Sequence, residues 1–380
     1  DLMYPEYAIG LMSGTSCDGI DCALVRLHAI DRVELVAFVS EPYTEELRGR
    51  LLHVAGNEPT SAAELLLLSS LLGELMLAAC VKVCERADIP KSEIAFIASH
   101  GHTVQHLPQA HEYLGHSLRG TLQIGDVSCL NEYFGCPCVS DFRVRDFAAG
   151  GMGAPLVPFS EYLLYRSETQ AVALQNIGGI GNITLIPKGA SPEEVLAFDT
   201  GPGNMLLDLW CERKFGCRYD ENGRIAAEGK ANAALLDFLL NDDYYRSKPP
   251  KTSGREKYGA AFLQTIEDFA QKQKIHDRDV LNTLCLFTAK TIALSFAHIP
   301  RPNLLLIGGG GAHNQTMLSY IRALLPDVEV KTQDEYGFSA DAKEAIAFAL
   351  LGKAALLRMP SSIIGATGAR HSSVLGKVQY

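Results

Sequence analysis

Two segments of this sequence share one plan: a short apolar run, a glycine-rich turn and a second apolar run. The first runs from Tyr7-Ala8-Ile9 through Gly10-Leu11-Met12-Ser13-Gly14-Thr15-Ser16-Cys17-Asp18-Gly19 into Ile20 to Leu27. The second runs from Ala171 to Ile177 through Gly178-Gly179-Ile180-Gly181-Asn182 into Ile183 to Ile186. Each reads as strand, tight turn, strand. A third apolar run, Asn303 to Ile307, ends in Gly308-Gly309-Gly310-Gly311-Ala312-His313-Asn314, and the residues from Gln315 to Leu325 have helical periodicity. A strand that feeds a glycine turn and a helix start is an anion or nucleotide site by geometry. The repeated unit predicts two related halves that share one nucleotide.

The first turn is the chemically richest. Glycine lets backbone N–H groups approach an anion, and the Thr15 and Ser16 hydroxyls add donors. Asp18 and Asp21 are placed to hold Mg²⁺ against bound phosphates, since Mg²⁺ prefers oxygen ligands shared with its substrate. The plainer reading is a hairpin turn rich in turn formers. The 380 residues favour two domains, and the net charge of −10, with no Lys/Arg run, argues against a nucleic-acid partner. The apolar stretch Leu65 to Val83 is broken by Ser69, Ser70, Glu74 and Lys82 and reads as a buried helix rather than a membrane span. No basic segment followed by an apolar one opens the sequence, which points to the cytoplasm. None of the ten cysteines forms a C-x-x-C pair, so reduced thiols are expected.

Strands alternate with helices throughout, which indicates an α/β fold. Strands are expected at 7–12, 20–27, 33–39, 94–99, 135–139 and 193–198, and a helical pair between about 44 and 86. The glycine-rich stretch Ala148 to Pro155 reads as the crossover between domains. Residues 340–357 read as an alanine-rich helix that can approach another helix closely.

Asp199, in Phe198-Asp199-Thr200-Gly201-Pro202-Gly203-Asn204, is expected at a strand exit, where open α/β sheets bind ligands. It is a candidate general base, with a turn or N-cap aspartate as the plainer reading. Asp341-Ala342-Lys343-Glu344-Ala345 opens the alanine-rich helix, and its acids suit the helix dipole. His100, His102, His106, His111 and His116 invite a metal reading, but they alternate faces and lack acidic partners. A loop lining a polar pocket, with Thr103 bonding a sugar hydroxyl, accounts for them better. No G-x-x-x-x-G-K-[ST] or G-x-G-x-x-G is present.

Taken together, these segments resemble the anhydro-N-acetylmuramic acid kinase family, within the acetate and sugar kinase, Hsp70 and actin superfamily. The matching motifs are LMSGTSCDGID (11–21), SHGHTVQH (99–106), TLQIGD (121–126), DFRVRDFAAGGMGAPLVP (141–158), NIGGIGN (176–182), FDTGPGNMLLD (198–208), KTSGREKYG (251–259), GGGGAHN (308–314), DAKEAIAFALLG (341–352) and ATGA (366–369). Cys17, His102 and Met152 depart from the family pattern, where Leu, Gln and Gln are usual.

The resemblance implies two ribonuclease H-like lobes with a nucleotide cleft between them. Lobe I would be residues 1–145 with about 353–380, and lobe II residues 146–352. It implies a cytoplasmic homodimer that uses ATP and Mg²⁺, opens 1,6-anhydro-N-acetylmuramic acid and phosphorylates O6. Asp199 would deprotonate the attacking water, with Glu344 orienting or polarising it. Gly14, Thr15, Ser16, Cys17, Asp18, Gly19, Ile20 and Asp21 would cradle the phosphates, with Asp18 or Asp21 near the metal. Gly178 and Gly179 would add the second phosphate turn, and Gly308, Gly309, Gly310 and Asn314 would face the adenosine. Thr103 and Arg143 would contact the sugar, Arg143 through the lactyl carboxylate. Another sugar or acid kinase of the same superfamily is the alternative reading.

Overall fold

The computed structural model describes residues 4–336 and 342–380. The chain divides into two compact units, Asp1–Leu164 with Asp341–Tyr380, and Tyr165–Ala340. In the first unit β1 (Glu6–Ser13), β2 (Gly19–Ala29) and β3 (Arg32–Pro42) form an antiparallel meander. The strand β4 (Ile94–Tyr113) lies parallel to β1, β5 (His116–Ile124) turns back on β4, and β6 (Cys138–Ser140) runs parallel to β4. In the second unit β7 (Val172–Ile177), β8 (Ile180–Ile186) and β9 (Leu196–Pro202) form another antiparallel meander. β10 (Leu304–Gly308) lies parallel to β7, and β11 (Glu329–Thr332) lies parallel to β10. A last strand, β12 (Lys377–Gln379), returns to the first sheet beside β6.

The two sheets share one topology. Their orders are β3-β2-β1-β4-β6, extended by β12, and β9-β8-β7-β10-β11. Each is a three-stranded meander followed by two parallel strands, which is the ribonuclease H-like order, so the repeat seen in the sequence is a repeat of fold.

The long apolar helix is Ala62–Ala87, capped at Ser61, whose side chain accepts from the Glu64 N–H, and closed at Asp88 in the left-handed region. By length and composition it could cross a membrane. In this structure it packs on β2 and β3 and buries Leu68, Leu72, Met76, Cys80 and Val83, a stripe at helical spacing, while Leu66 and Leu67 stay exposed. The ten cysteines are all free thiols.

Three expectations are corrected. The crossover does not fall at 148–155, and residues 146–164 and 342–352 belong to the first unit rather than to lobe II. The glycine-rich loop is pinned there by the buried Asp146, which accepts from Gly153 N at 2.8 Å and from Thr367 Oγ1 at 2.8 Å. The alanine-rich helix, Lys343–Leu356, approaches the first sheet rather than another helix; Asp341, expected to open it, lies outside the described residues. Finally, β4 does not end at Ser99. Gly101, at φ +72°, lets the strand bend and continue through the histidines, which pair with β5 instead of forming a loop.

The helix meets the sheet at two glycines. A Cβ on Gly10 would lie 1.9 Å from the Ala345 carbonyl oxygen, and one on Gly352 would lie 2.5 Å from Ala98 Cβ. Gly49, inside the helix Glu45–Ala55, has nothing within 4 Å of its Cβ position. Gly10→Ala should therefore destabilise the protein by about 1–3 kcal/mol through overpacking. Gly49→Ala should stabilise it by about 0.4–1 kcal/mol through helix propensity and a less flexible unfolded chain. Urea unfolding of both variants checks this, and equal effects would refute the packing argument.

Candidate active site

In the first unit the turn between β1 and β2 is closed by Cys17 N donating to Gly14 O at 3.1 Å, with Cys17 at φ +56°. It is supported from below. Ser13 Oγ is 2.7 Å from Tyr43 OH and 2.8 Å from His102 Nδ1, and His102 Nε2 is 3.7 Å from Cys17 Sγ. Two of the three family departures, Cys17 and His102, thus touch each other. Burial depresses the His102 pKa to about 4, so the ring is neutral at ordinary pH.

A charged group gathers beside this turn. Glu344, in the first turn of the Lys343–Leu356 helix, is open to solvent on one side. The protein around it still removes enough water to push its carboxyl pKa up. Lys343 and Arg143 oppose that rise, and the negative charge of Asp21 adds to it. Asp21 accepts from Ser40 Oγ at 2.8 Å. Arg143 donates from Nε to His100 Nε2 at 3.0 Å and from Nη1 to Gly153 O at 2.7 Å. Burial lowers its pKa to about 10, against the pull of Glu344 and Asp146. His100 Nδ1 donates to Gly101 O at 2.9 Å, and burial drops its pKa to about 3. The histidine supplies a neutral acceptor that fixes one edge of the guanidinium. Thr103 Oγ1 accepts from Gln123 Nε2 at 3.1 Å, which leaves its own hydrogen for another partner.

Asp18 does not join this group. Its side chain is 75% exposed and faces Arg48 at 3.6 Å. Among the described residues no cluster of three or more His, Cys, Asp or Glu side chains is arranged to hold a metal. The histidines of β4 have separate partners, His100 with Arg143, His102 with Ser13 and Cys17, and His106 with Thr121.

In the second unit the glycines bring three segments into contact. Asn204 N donates to Gly178 O at 2.7 Å and Met205 N to Gly179 O at 3.1 Å, so the helix Asn204–Phe215 starts directly on the β7–β8 turn. A Cβ on Gly203 would lie 2.2 Å from Gly178 O. Gly309, at φ +78°, crosses within 2.6 Å of Ile177 O by the same measure. The Arg255 guanidinium lies 3.4 Å from the Cβ position of Gly179. Asn314 caps the helix Gln315–Leu324 by accepting from Met317 N at 3.0 Å, so its carbonyl oxygen is already committed. A short 3-10 turn, Gly310–His313, stands between β10 and that helix. A cavity of about 450 Å³ opens here, lined in part by Asn204, Asp208, Tyr219, Asn222, Gly310 and His313.

Asp199 lies within β9 rather than at its exit, because Gly201 keeps the strand paired with Gly181 up to Pro202. One carboxylate oxygen accepts from Ser253 N at 2.8 Å, and the Asp199 carbonyl accepts from Tyr244 OH at 2.7 Å. Burial raises its carboxyl pKa and the Ser253 N–H opposes the rise. Lys251 donates to Tyr244 O at 2.9 Å and stands over the Tyr244 ring. The sequence pattern by itself assigns no role to Lys251, Ser253 or Arg255, although KTSGREKYG holds all three. Its close-set cations around a small-residue turn were the available signal.

A sequence model described as anhydro-N-acetylmuramic acid kinase matches residues 6–380. The chain belongs to this family. Curated relatives of that name include one from Caldanaerobacter subterraneus subsp. tengcongensis, 42% identical with 97% of this chain and 96% of the relative covered. Another, from Clostridioides difficile, is 43% identical with 98% of each covered. The protein is accordingly a kinase and a transferase. Among solved structures it is similar to an activator of 2-hydroxyisocaproyl-CoA dehydratase from Clostridium difficile (TM-score 0.45, 10% identity, 90% of this chain and 93% of that chain). It is also similar to a ROK family glucokinase from Streptomyces griseus (TM-score 0.39, 13% identity, 90% and 98%). Both likenesses are too loose to bear on the chemistry.

The histidines make a pH prediction. Below about pH 6.5 the unfolded chain protonates His102 while the folded chain does not until about pH 4, so stability falls with pH across that window. The shift corresponds to on the order of 3 kcal/mol for this one residue. Comparing urea unfolding of the wild type and His102→Gln from pH 7 to pH 4 should show a shallower loss in the variant. Parallel curves would count against a buried neutral imidazole.

Proposed function

We propose that this kinase uses ATP to open 1,6-anhydro-N-acetylmuramic acid hydrolytically and to phosphorylate its O6, giving N-acetylmuramic acid 6-phosphate and ADP in cytoplasmic recycling of peptidoglycan. The observation that carries the reading is Asp199. It is a half-buried carboxylate with one oxygen fixed by a backbone N–H, the other left for a proton, and a pKa raised toward the working range of a general base. In the reaction Asp199 takes a proton from water, and the water oxygen bonds to C1 as the C1–O6 bond breaks. O6 then bonds to the γ-phosphorus of ATP as the bond to the leaving ADP oxygen breaks.

The other residues position and neutralise. The Gly14–Asp21 turn and the Gly178-Gly179 turn offer N–H groups to the phosphates, and the Arg255 guanidinium lies over the second of these. Glu344 polarises the water or the sugar. Arg143, locked by His100 and Gly153, offers its remaining N–H groups to the lactyl carboxylate, and Thr103 offers its hydroxyl hydrogen to the sugar. A Mg²⁺ ion would supply charge neutralisation at the transferring phosphate. The donor set fits an ion held mainly by phosphate oxygens, since Asp21 is the acid beside Glu344 and a cation there would relieve the repulsion between them. Asp18, paired with Arg48, is the weaker candidate.

Asp199→Asn should keep ATP and sugar binding while turnover falls by on the order of 10² to 10⁴. In heavy-oxygen water the label should enter C1 of the product and stay out of the transferred phosphate. Unlabelled C1, under conditions that block later anomeric exchange, would rule out attack by water. A near-wild-type rate for Asp199→Asn would shift the base role to Glu344.

A further inference from the structure

Asp208 has no part in the chemistry above, yet it closes the FDTGPGNMLLD motif and lines the cavity of the second unit. Its carboxylate is half-buried, and burial alone accounts for the rise of its pKa to about 6. Among the described residues it has no hydrogen-bond or ion-pair partner. An acceptor-only group that is desolvated without a donor destabilises the protein that carries it, so its presence calls for a donor from outside the chain.

The placement narrows which donor. Asp208 sits four residues after Asn204 on the same face of the Asn204–Phe215 helix, about 6 Å along the axis. Asn204 is the residue bonded to the Gly178 turn, and its Nδ2 lies 3.1 Å from the Cβ position of Gly310. The carboxylate is therefore about one helical turn from the Gly178-Gly179 turn, which the proposed function gives to the phosphates. A nucleoside diphosphate has three donor groups outside its phosphates: the 2′- and 3′-hydroxyls and, in adenine, the exocyclic amine. The hydroxyls lie near the phosphates, and the amine lies at the far edge of the base. A vicinal diol also presents two hydrogens to the two oxygens of one carboxylate.

We propose that Asp208 binds the ribose diol of the nucleotide and makes the enzyme select ribonucleotides over deoxyribonucleotides. This rests on the proposed function, which gives the Gly178-Gly179 turn to the phosphates, and on the rest of the nucleotide then entering the second-unit cavity. The remaining cavity, beyond Asp208 toward Tyr219 and Asn222, then takes the base.

Calorimetric titration of the full chain tests it without turnover, with ADP, 2′-deoxy-ADP, 3′-deoxy-ADP and inosine diphosphate as probes. The wild type should bind ADP about tenfold more tightly than either deoxy analogue, the loss expected for one hydrogen bond to a charged acceptor. In Asp208→Ala that ratio should fall close to one, while the ratio of ADP to inosine diphosphate stays unchanged. The variant should also melt no lower than the wild type, because it removes a desolvated carboxylate without a partner. An unchanged ADP to deoxy-ADP ratio would overturn the proposal, as would a change confined to inosine diphosphate, which would place the amine at Asp208. Gly310→Trp, which fills the cavity, separates the two levels. If it abolishes ADP binding while Asp208→Ala leaves sugar selectivity intact, only the diol assignment falls. If ADP still binds to Gly310→Trp, the placement of the nucleotide falls and the diol assignment goes with it.

Discussion

The close approach of the Lys343–Leu356 helix to the first sheet rests on two missing side chains. At Gly10 and Gly352 the helix and the strands β1 and β4 come nearer than a methyl group permits. Ala345, Ala347, Ala349 and Ala354 continue the contact with small side chains, all of them buried. The local result is that Glu344, one residue before this seam, is carried to the edge of the sheet where Asp21 and Arg143 already stand. A bulkier seam would hold the helix off and take Glu344 away from both. The alanine-rich composition is thus a condition for the charge cluster as well as a packing preference.

Burial acts on the ionisable groups of both units in one direction, against charge. It raises the carboxyl pKa values of Asp199, Glu344 and Asp208, and none of these three forms an ion pair within hydrogen-bonding distance among the described residues. It lowers those of His100 and His102, which remain neutral and serve as hydrogen-bond partners. Arg143 stays cationic through all of this, because even a pKa of about 10 leaves it protonated at neutral pH. The first unit therefore presents a part-buried cation, Arg143, fixed by the neutral ring of His100, an arrangement suited to an anionic group on a substrate. In the second unit Asp199, with a donor on one oxygen, and Asp208, with none among the described residues, are short of donors, an arrangement suited to water and hydroxyls.

The repeated glycine turns were legible in the sequence because glycine and strand periodicity are local signals. So were both meanders and the alanine-rich helix. What failed was non-local. The polar run from His100 to His106 does not alternate as a half-buried strand should, so the sequence pattern ends β4 at Ser99, whereas its continuation depends on pairing with β5 about twenty residues away. The loop at 148–155 looked like a linker because nothing nearby in sequence shows that Asp146 anchors it to Thr367, more than two hundred residues later. The extension of β9 past Asp199 depends on Gly201 accepting a conformation that most residues avoid. The contact between Cys17 and His102 could be suspected only from their joint departure from the family pattern, and Lys251, Ser253 and Arg255 carry no periodic signature at all.

Although the two sheets repeat one topology, the residues added to them differ. In the first unit the segment between the third and fourth strands, residues 43–93, consists mainly of two helices, and the candidate site residues stand on the turn after β1, on β4, beside β6 and on the returning helix. In the second unit the equivalent segment, residues 203–303, is twice as long and brings Asp208, Tyr244, Lys251, Ser253 and Arg255. Asp199 owes its fixed oxygen to Ser253 and its bonded carbonyl to Tyr244, both from that insertion. The sheet repeat supplies two copies of a turn able to meet phosphate, which by itself is a generic property. The insertion orients and desolvates one strand carboxylate, Asp199, and adds the carboxylate of the cavity. A chain that kept both sheets but lost residues 241–259 would keep its glycine turns while Asp199 lost the hydrogen bonds that orient it.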